Sequence, residues 1–185
     1  TALDEAENFA RQHNFLFYIP EVAAARVLVL LRQDNLTAAA DLAGQYELPI
    51  SQARVHLIQG DPAAALAVLG PLRRQMENKG WLDEQLKIVI LEALAYQAHG
   101  ETEIAAQHLG EALAMAEAGG FIRVFVDEGW PMALLLSQTV DRGIMPDDCS
   151  KLLAVFEAER QKEDDEAEPS PAQPLIDSLT KRELE

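Results

Sequence analysis

The chain has 185 residues, 49% of them hydrophobic and 6% aromatic, and a formal net charge of −16 at pH 7. That is enough apolar content for one sizeable core, and the acidic balance argues against nucleic-acid binding by this chain, because nonspecific affinity for phosphate backbones comes from basic patches. A single cysteine, Cys149, excludes an internal disulfide framework or a cysteine zinc cluster. With no signal pattern at the start and no apolar run near the ~18 residues that span a bilayer, a cytoplasmic protein is expected.

Alanine and leucine dominate, and β-branched residues rarely cluster outside "KIVILEALAY" and "IRVFV", a composition that predicts an all-α fold. Three stretches share one pattern. Anchored on Asp34, Gly60 and Gly100, each continues with an amide or acidic residue (Asn35, Asp61, Glu101) and places an alanine five positions after the anchor (Ala39, Ala65, Ala105). A glycine supplies the left-handed end of one helix, the next residue caps the following helix, and the alanine lets two antiparallel helices approach closely. The helices expected before the anchors are Pro20–Arg32, Pro49–Gln59 and Leu82–His99, and those after them are Thr37–Tyr46, Pro62–Asn78 and Thr102–Ala118. Apolar residues recur at three and four along them, as in Leu66, Leu69, Leu72 and Met76. Stacked pairs of this kind form an α-solenoid.

Further on, Asp127 and Glu128 are paired carboxylates beside Gly129 and Pro131. Their expected roles are structural, as a cap on a helix starting near Pro131 or as partners of Arg123 one turn earlier. The run from Glu157 to Glu168 holds seven acidic and two basic residues, net −5. With the prolines after it, this stretch has the composition of a solvated linker. The chain closes on "SLTKRELE", where Thr180 and Glu183 form a capping box that starts a helix and leaves it about one turn. On that ground the chain is expected to be a fragment.

The G-[DE]-x-x-x-A signature, with Tyr96 before Gly100 and Leu69 and Leu109 nine residues beyond the turn glycines, is similar to tetratricopeptide repeats. "GGFIRVFVDEGWPMALLL", from Gly119 to Leu136, resembles the end of the repeat region in large ATP-dependent, MalT-like members of the LuxR family, and "LTKRELE" resembles the opening of their terminal DNA-binding domain. The resemblance implies a tetratricopeptide-like domain over residues 1–158, an acidic linker over 159–174 and the start of a LuxR-type domain over 175–185. It also implies an ATPase upstream, and no phosphate-binding Gly-rich loop occurs in this chain. DNA is then a partner of the full-length protein and not of this chain.

By the same resemblance the first helix of each pair lines a concave groove. That projection turns Glu21, Leu28 and Arg32 inward from the first pair, Arg54 and Leu57 from the second, and Lys87, Leu94 and Gln97 from the third. Arg32, Arg54 and Lys87 on one face of an acidic protein would favour a small polar or anionic effector, or an acidic partner segment. Trp81, after Lys79 and Gly80, is either a stacking platform for a ligand or a staple against the neighbouring turn. His13, His56, His99 and His108 are never three or four residues apart, and Ser137, Ser150 and Cys149 lack a flanking glycine elbow or a nearby histidine. No metal, cofactor or catalytic set is expected. The implied function is effector or partner sensing for an ATP-dependent transcriptional activator. A passive docking scaffold is the alternative.

Overall fold

The computed structural model describes residues 2–117 and 121–167. Among these residues there are ten α-helices, one 3₁₀ turn and no strand. In chain order they are α1 (Ala2–Gln12), the 3₁₀ turn (Leu16–Tyr18), α2 (Ile19–Arg32), α3 (Leu36–Gln45), α4 (Pro49–Ile58), α5 (Pro62–Lys79), α6 (Leu82–His99), α7 (Thr102–Glu117), α8 (Arg123–Val126), α9 (Trp130–Asp141) and α10 (Pro146–Ala167). The all-α solenoid of helix pairs expected from the sequence is therefore the observed architecture. Each of the six expected helices falls within a residue or two of its predicted bounds, and Ala118 lies outside the described residues.

One device makes every joint from α1 to α7. The first or second residue after each helix turns left-handed, with φ of 59° at Asn14, 57° at Asp34, 50° at Glu47, 75° at Gly60, 69° at Gly80 and 88° at Gly100. The next amide then reaches back five residues, as in Asn35 N–H to Leu30 C=O at 2.9 Å, Asp61 to His56 at 2.9 Å and Glu101 to Tyr96 at 2.9 Å. This bond satisfies a carbonyl that the helix end would otherwise leave open. Asp34 thus does the work of the missing glycine. The amides of Ala38 and Ala64 donate to the side chains of Asn35 and Asp61 at 3.3 and 2.9 Å, as the cap positions predict. The third cap differs: the longer Glu101 side chain turns to His99 Nδ1, 3.0 Å away.

Ala39, Ala65 and Ala105 are fully buried, as expected of the small residues where paired helices meet. The main core runs from α4 to α10 and is centred on α6, which is buried almost without a break from Ile88 to Ala95 because it packs on α4, α5, α7 and α9. A helix apolar on nearly all sides belongs at such a centre, and its one buried charge in this stretch, Glu92, is paired. Arg73 on α5 ties this centre together through Glu77 at 2.9 Å, Glu92 on α6 at 2.7 Å and Glu111 on α7 at 2.5 Å. Burial works against the Arg73 charge, but its bonds to Glu111, Glu77 and Glu92 outweigh that and raise its pKa above the ordinary value.

One expectation changes at the C-terminal end. The stretch expected to be linker from 159 continues α10 to Ala167, since it has no Pro or Gly until Pro169 and is rich in helix-favouring Glu, Lys, Arg and Gln. The rest of that stretch, the capping box of Thr180 and Glu183 and the segment 175–185 lie outside the described residues, as do Gly119 and Gly120.

Candidate functional site

The first helices of the three pairs present matching stripes. Leu28, Leu31 and Arg32 on α2, Arg54, Leu57 and Ile58 on α4, and Leu94 and Ala98 on α6 all recur at three and four residues, and all line one cavity of about 400 Å³. The fourth wall comes from residues distant in sequence: Asp127, Glu128, Gly129 and Pro131, between α8 and α9. Gly129 makes this possible. Its φ of 69° and ψ of −150° place it in a region essentially reserved for glycine, and it turns the chain from α8 into α9 while Glu128 projects onto α4.

Glu128 meets Arg54 across 74 residues of sequence, with both carboxylate oxygens 3.2 Å from Nε and one 2.5 Å from Nη2. The two side chains keep only 14% and 7% of their surfaces exposed, so this pair is mostly withdrawn from solvent. Taking charges largely out of water costs several kcal/mol each in round terms, and the close forked geometry of the pair offsets part of that cost. Asp127 receives Arg123 Nε at 3.0 Å and Arg32 Nη2 at 3.5 Å, and Arg123 also pairs with Glu159 on α10. The expected Arg123 to Asp127 contact is present. No side chain caps α9, so the expected cap from Asp127 or Glu128 is not made: both carboxylates are taken by arginines.

The projected groove residues divide by position along their helices. Leu28, Arg32, Arg54, Leu57 and Leu94 lie around the one cavity. Lys87 is seven residues, two turns, before Leu94, and it bonds Glu84 at 2.7 Å instead. Its helix has 18 residues against 10 in α4, so the start of α6 runs past the end of the cavity. Glu21 likewise precedes Leu28 by two turns and lines a separate cleft against α1 with Phe9 and Tyr18. Gln97 is rotated away from the Leu94 and Ala98 stripe and donates to Gln138 Oε1 on α9 at 3.0 Å, which leaves its own Oε1 buried without a partner. The face of unopposed positive charge expected from Arg32, Arg54 and Lys87 is thus corrected: each of the three has a carboxylate against it.

Trp81 lies outside the cavity. It is half exposed at the head of α6, with Lys79 Nζ 4.6 Å from its ring centroid, so its face is already stacked by a residue of the same turn. Cys149 is fully buried in the main core, and burial beside Asp148 pushes its thiol up to about 11. Among the described residues no three His, Cys, Asp or Glu side chains gather closely enough to hold a metal ion, and no helix is long and apolar enough to cross a membrane.

The sequence missed the fourth wall, Asp127 to Pro131. Its signal was a carboxylate pair followed by a glycine, which admits a local partner as readily as a distant one. No curated protein and no solved structure matches the chain. The family model of the MalT-like TPR region matches residues 1–142, most of the 185, and the chain belongs to that family.

Proposed function

We propose that this domain is the sensor of an ATP-dependent, LuxR-family transcriptional activator acting in the cytoplasm, and that the cavity between α2, α4, α6 and the α8 to α9 turn is where it takes its effector. The observation that carries the reading is the composition of the walls. Three come from successive repeats and the fourth from residues 127–131, so occupancy bears on both ends of the domain at once. About 400 Å³ with mostly aliphatic walls and a few polar groups is the usual character of a small-molecule site. An effector that prefers one packing of the repeats over another shifts the whole regulator by its differential affinity for the two, and by no more. Coupling then passes to an ATPase and a DNA-binding domain carried elsewhere in the full-length protein, and this acidic domain itself binds no DNA.

The docking-scaffold reading draws on a different observation, the exposed aromatic cluster of Phe9, Phe15, Phe17 and Tyr18 beside α1. The two separate under thermal-shift screening of wild type against Ala98→Phe, which fills the cavity. Compounds that raise the melting temperature of wild type but not of the filled variant identify the cavity as the sensor site. Shifts of equal size in both proteins would sink that reading.

A further inference from the structure

We infer that the cavity is built for a small aliphatic carboxylate, whose head is held by the open edge of Arg54 while its tail lies along the leucines. The inference rests on the sensor reading above and names the ligand class for it.

The argument starts from donors. A guanidinium has five N–H groups arranged in two forked edges. Glu128 takes the edge formed by Nε and Nη2, and among the described residues Nη1 has no partner. The second edge of Arg54, Nη1 with the remaining hydrogen of Nη2, is therefore free to accept a planar anion in bidentate fashion. Arg54 is only 14% exposed and holds its orientation through Glu128, so a ligand does not have to order it first. The other cations near the projected groove do not offer this. Lys87 is outside the cavity, and Arg32 is 61% exposed.

Burial supplies the second half. Beyond the charged groups the cavity is lined by Leu28, Leu31, Leu57, Ile58 and Leu94, which offer no polar side-chain partner. A methylene fully removed from water there strengthens binding by up to about fourfold. A sugar or a nucleotide could pair its polar groups only at the end formed by Arg32, Arg54, Asp127 and Glu128, and those laid against the leucines would go unpaired, which is costly. A carboxylate on a short alkyl tail sets its polar head at Arg54 and only apolar atoms against the leucines.

The test uses the 185-residue chain, with the series acetate, butyrate, hexanoate and octanoate against alcohols of matched length, read by isothermal titration and thermal shift. Affinity for the acids should rise along the series and level off once the tail outgrows the cavity, and each acid should bind about tenfold or more tighter than its alcohol. Glu128→Gln removes the competing negative charge and should tighten acid binding severalfold. Arg54→Lys keeps a charge but loses the fork, and should lose most of the preference for acid. Should Glu128→Gln fold poorly, the double variant Arg54→Met with Glu128→Met removes both charges at similar volume and should bind acid and alcohol alike. Acids and alcohols bound equally by wild type, or a Glu128→Gln protein that binds acid no better, would overturn the inference and leave the sensor cavity standing. Failure of acids and alcohols alike to bind would also overturn the inference, while the sensor reading stands or falls on the Ala98→Phe screen.

Discussion

The two halves of the solenoid are built to one plan with different materials. Between α1 and α7 the left-handed joints of the first half are Asn14, Asp34 and Glu47, and those of the second are Gly60, Gly80 and Gly100; Met145, with φ of 43° ahead of α10, is the exception further on. A residue with a Cβ is strained there by about 1–2 kcal/mol, Asn and Asp by less, and glycine by almost nothing. The cores differ in the same sense. Among the described residues, Val27, Ala39, Ala43 and Val55 form the fully buried part of the first cluster, whereas the second runs continuously from Ala53 to Leu152. Charge partly substitutes for the missing core at the start, where Arg26 reaches Asp4 at 2.8 Å and Glu7 at 3.2 Å across α1 and α2. Such half-exposed pairs contribute only about 0.2–1 kcal/mol. A repeat array whose first units have strained joints and thin cores is one whose first units open first.

The sharpest break of that comparison is a pair of core truncations. Leu109→Ala, in the second cluster, should cost about 2–5 kcal/mol, and Val27→Ala, in the first, about 1–2 kcal/mol. Both tryptophans, Trp81 and Trp130, sit in the second half. In urea, Leu109→Ala should move the fluorescence transition, while Val27→Ala should move mainly an earlier loss of helical circular dichroism. A single coincident transition displaced by both variants would show that the halves are one cooperative unit.

Overpacking comes next. Ala105→Leu and Ala65→Leu should each lower stability by about 1–3 kcal/mol, because both alanines are fully buried between helices of the large core. Ala39→Leu, buried in the thinner first pair, should cost less, and calorimetric melting of all three ranks them. A smaller effect of opposite sign in the two halves tests the joints themselves. Glu47→Gly should stabilise by about 1 kcal/mol and Gly100→Ala should destabilise by about the same. A Cβ at Gly100 would touch nothing within 4 Å, so any loss there is backbone strain alone. Equal effects of one sign would refute the account of the joints.

The smallest expected effect is zero at neutral pH. The thiol of Cys149 ionises near 9.0 when unfolded and is pushed up to about 11 by burial in the folded state. Below 9 both states keep the proton, and the group contributes no slope. Between about 9 and 11 the unfolded thiol loses its proton while the folded one holds it, so stability should fall with rising pH over that interval. Cys149→Ala should flatten this part of the curve. Iodoacetamide should label Cys149 only as fast as the second half opens.

What the sequence disclosed were features confined to one turn of chain. A left-handed residue, a cap and a small residue five positions on are neighbours in sequence, so Gly60, Asp61 and Ala65 declare a joint on their own. The cavity was half legible for the same reason, because Leu28, Arg54, Leu57 and Leu94 follow from helical spacing once the first helix of each pair is assumed to face inward. Lys87 and Glu21 failed that projection, since spacing gives the face of a helix and not how far along it the neighbouring helices extend. The bond between Arg54 and Glu128 was out of reach altogether. It depends on where three stacked pairs bring the chain after 74 residues, and the two residues contain no local sign of each other.

The length of α10 has a mechanical meaning. At 1.5 Å per residue its 22 residues extend about 33 Å. Its lower part is gripped, with Cys149 and Leu152 buried against α9 and Glu159 paired with Arg123, the same arginine that holds Asp127 at the cavity wall. A tilt of about ten degrees about Cys149 would carry the far end some 5 Å, by the same rise per residue. The helix is in effect a pointer. Movements too slight to disturb the packing around the cavity would be magnified at the point where the chain leaves the solenoid.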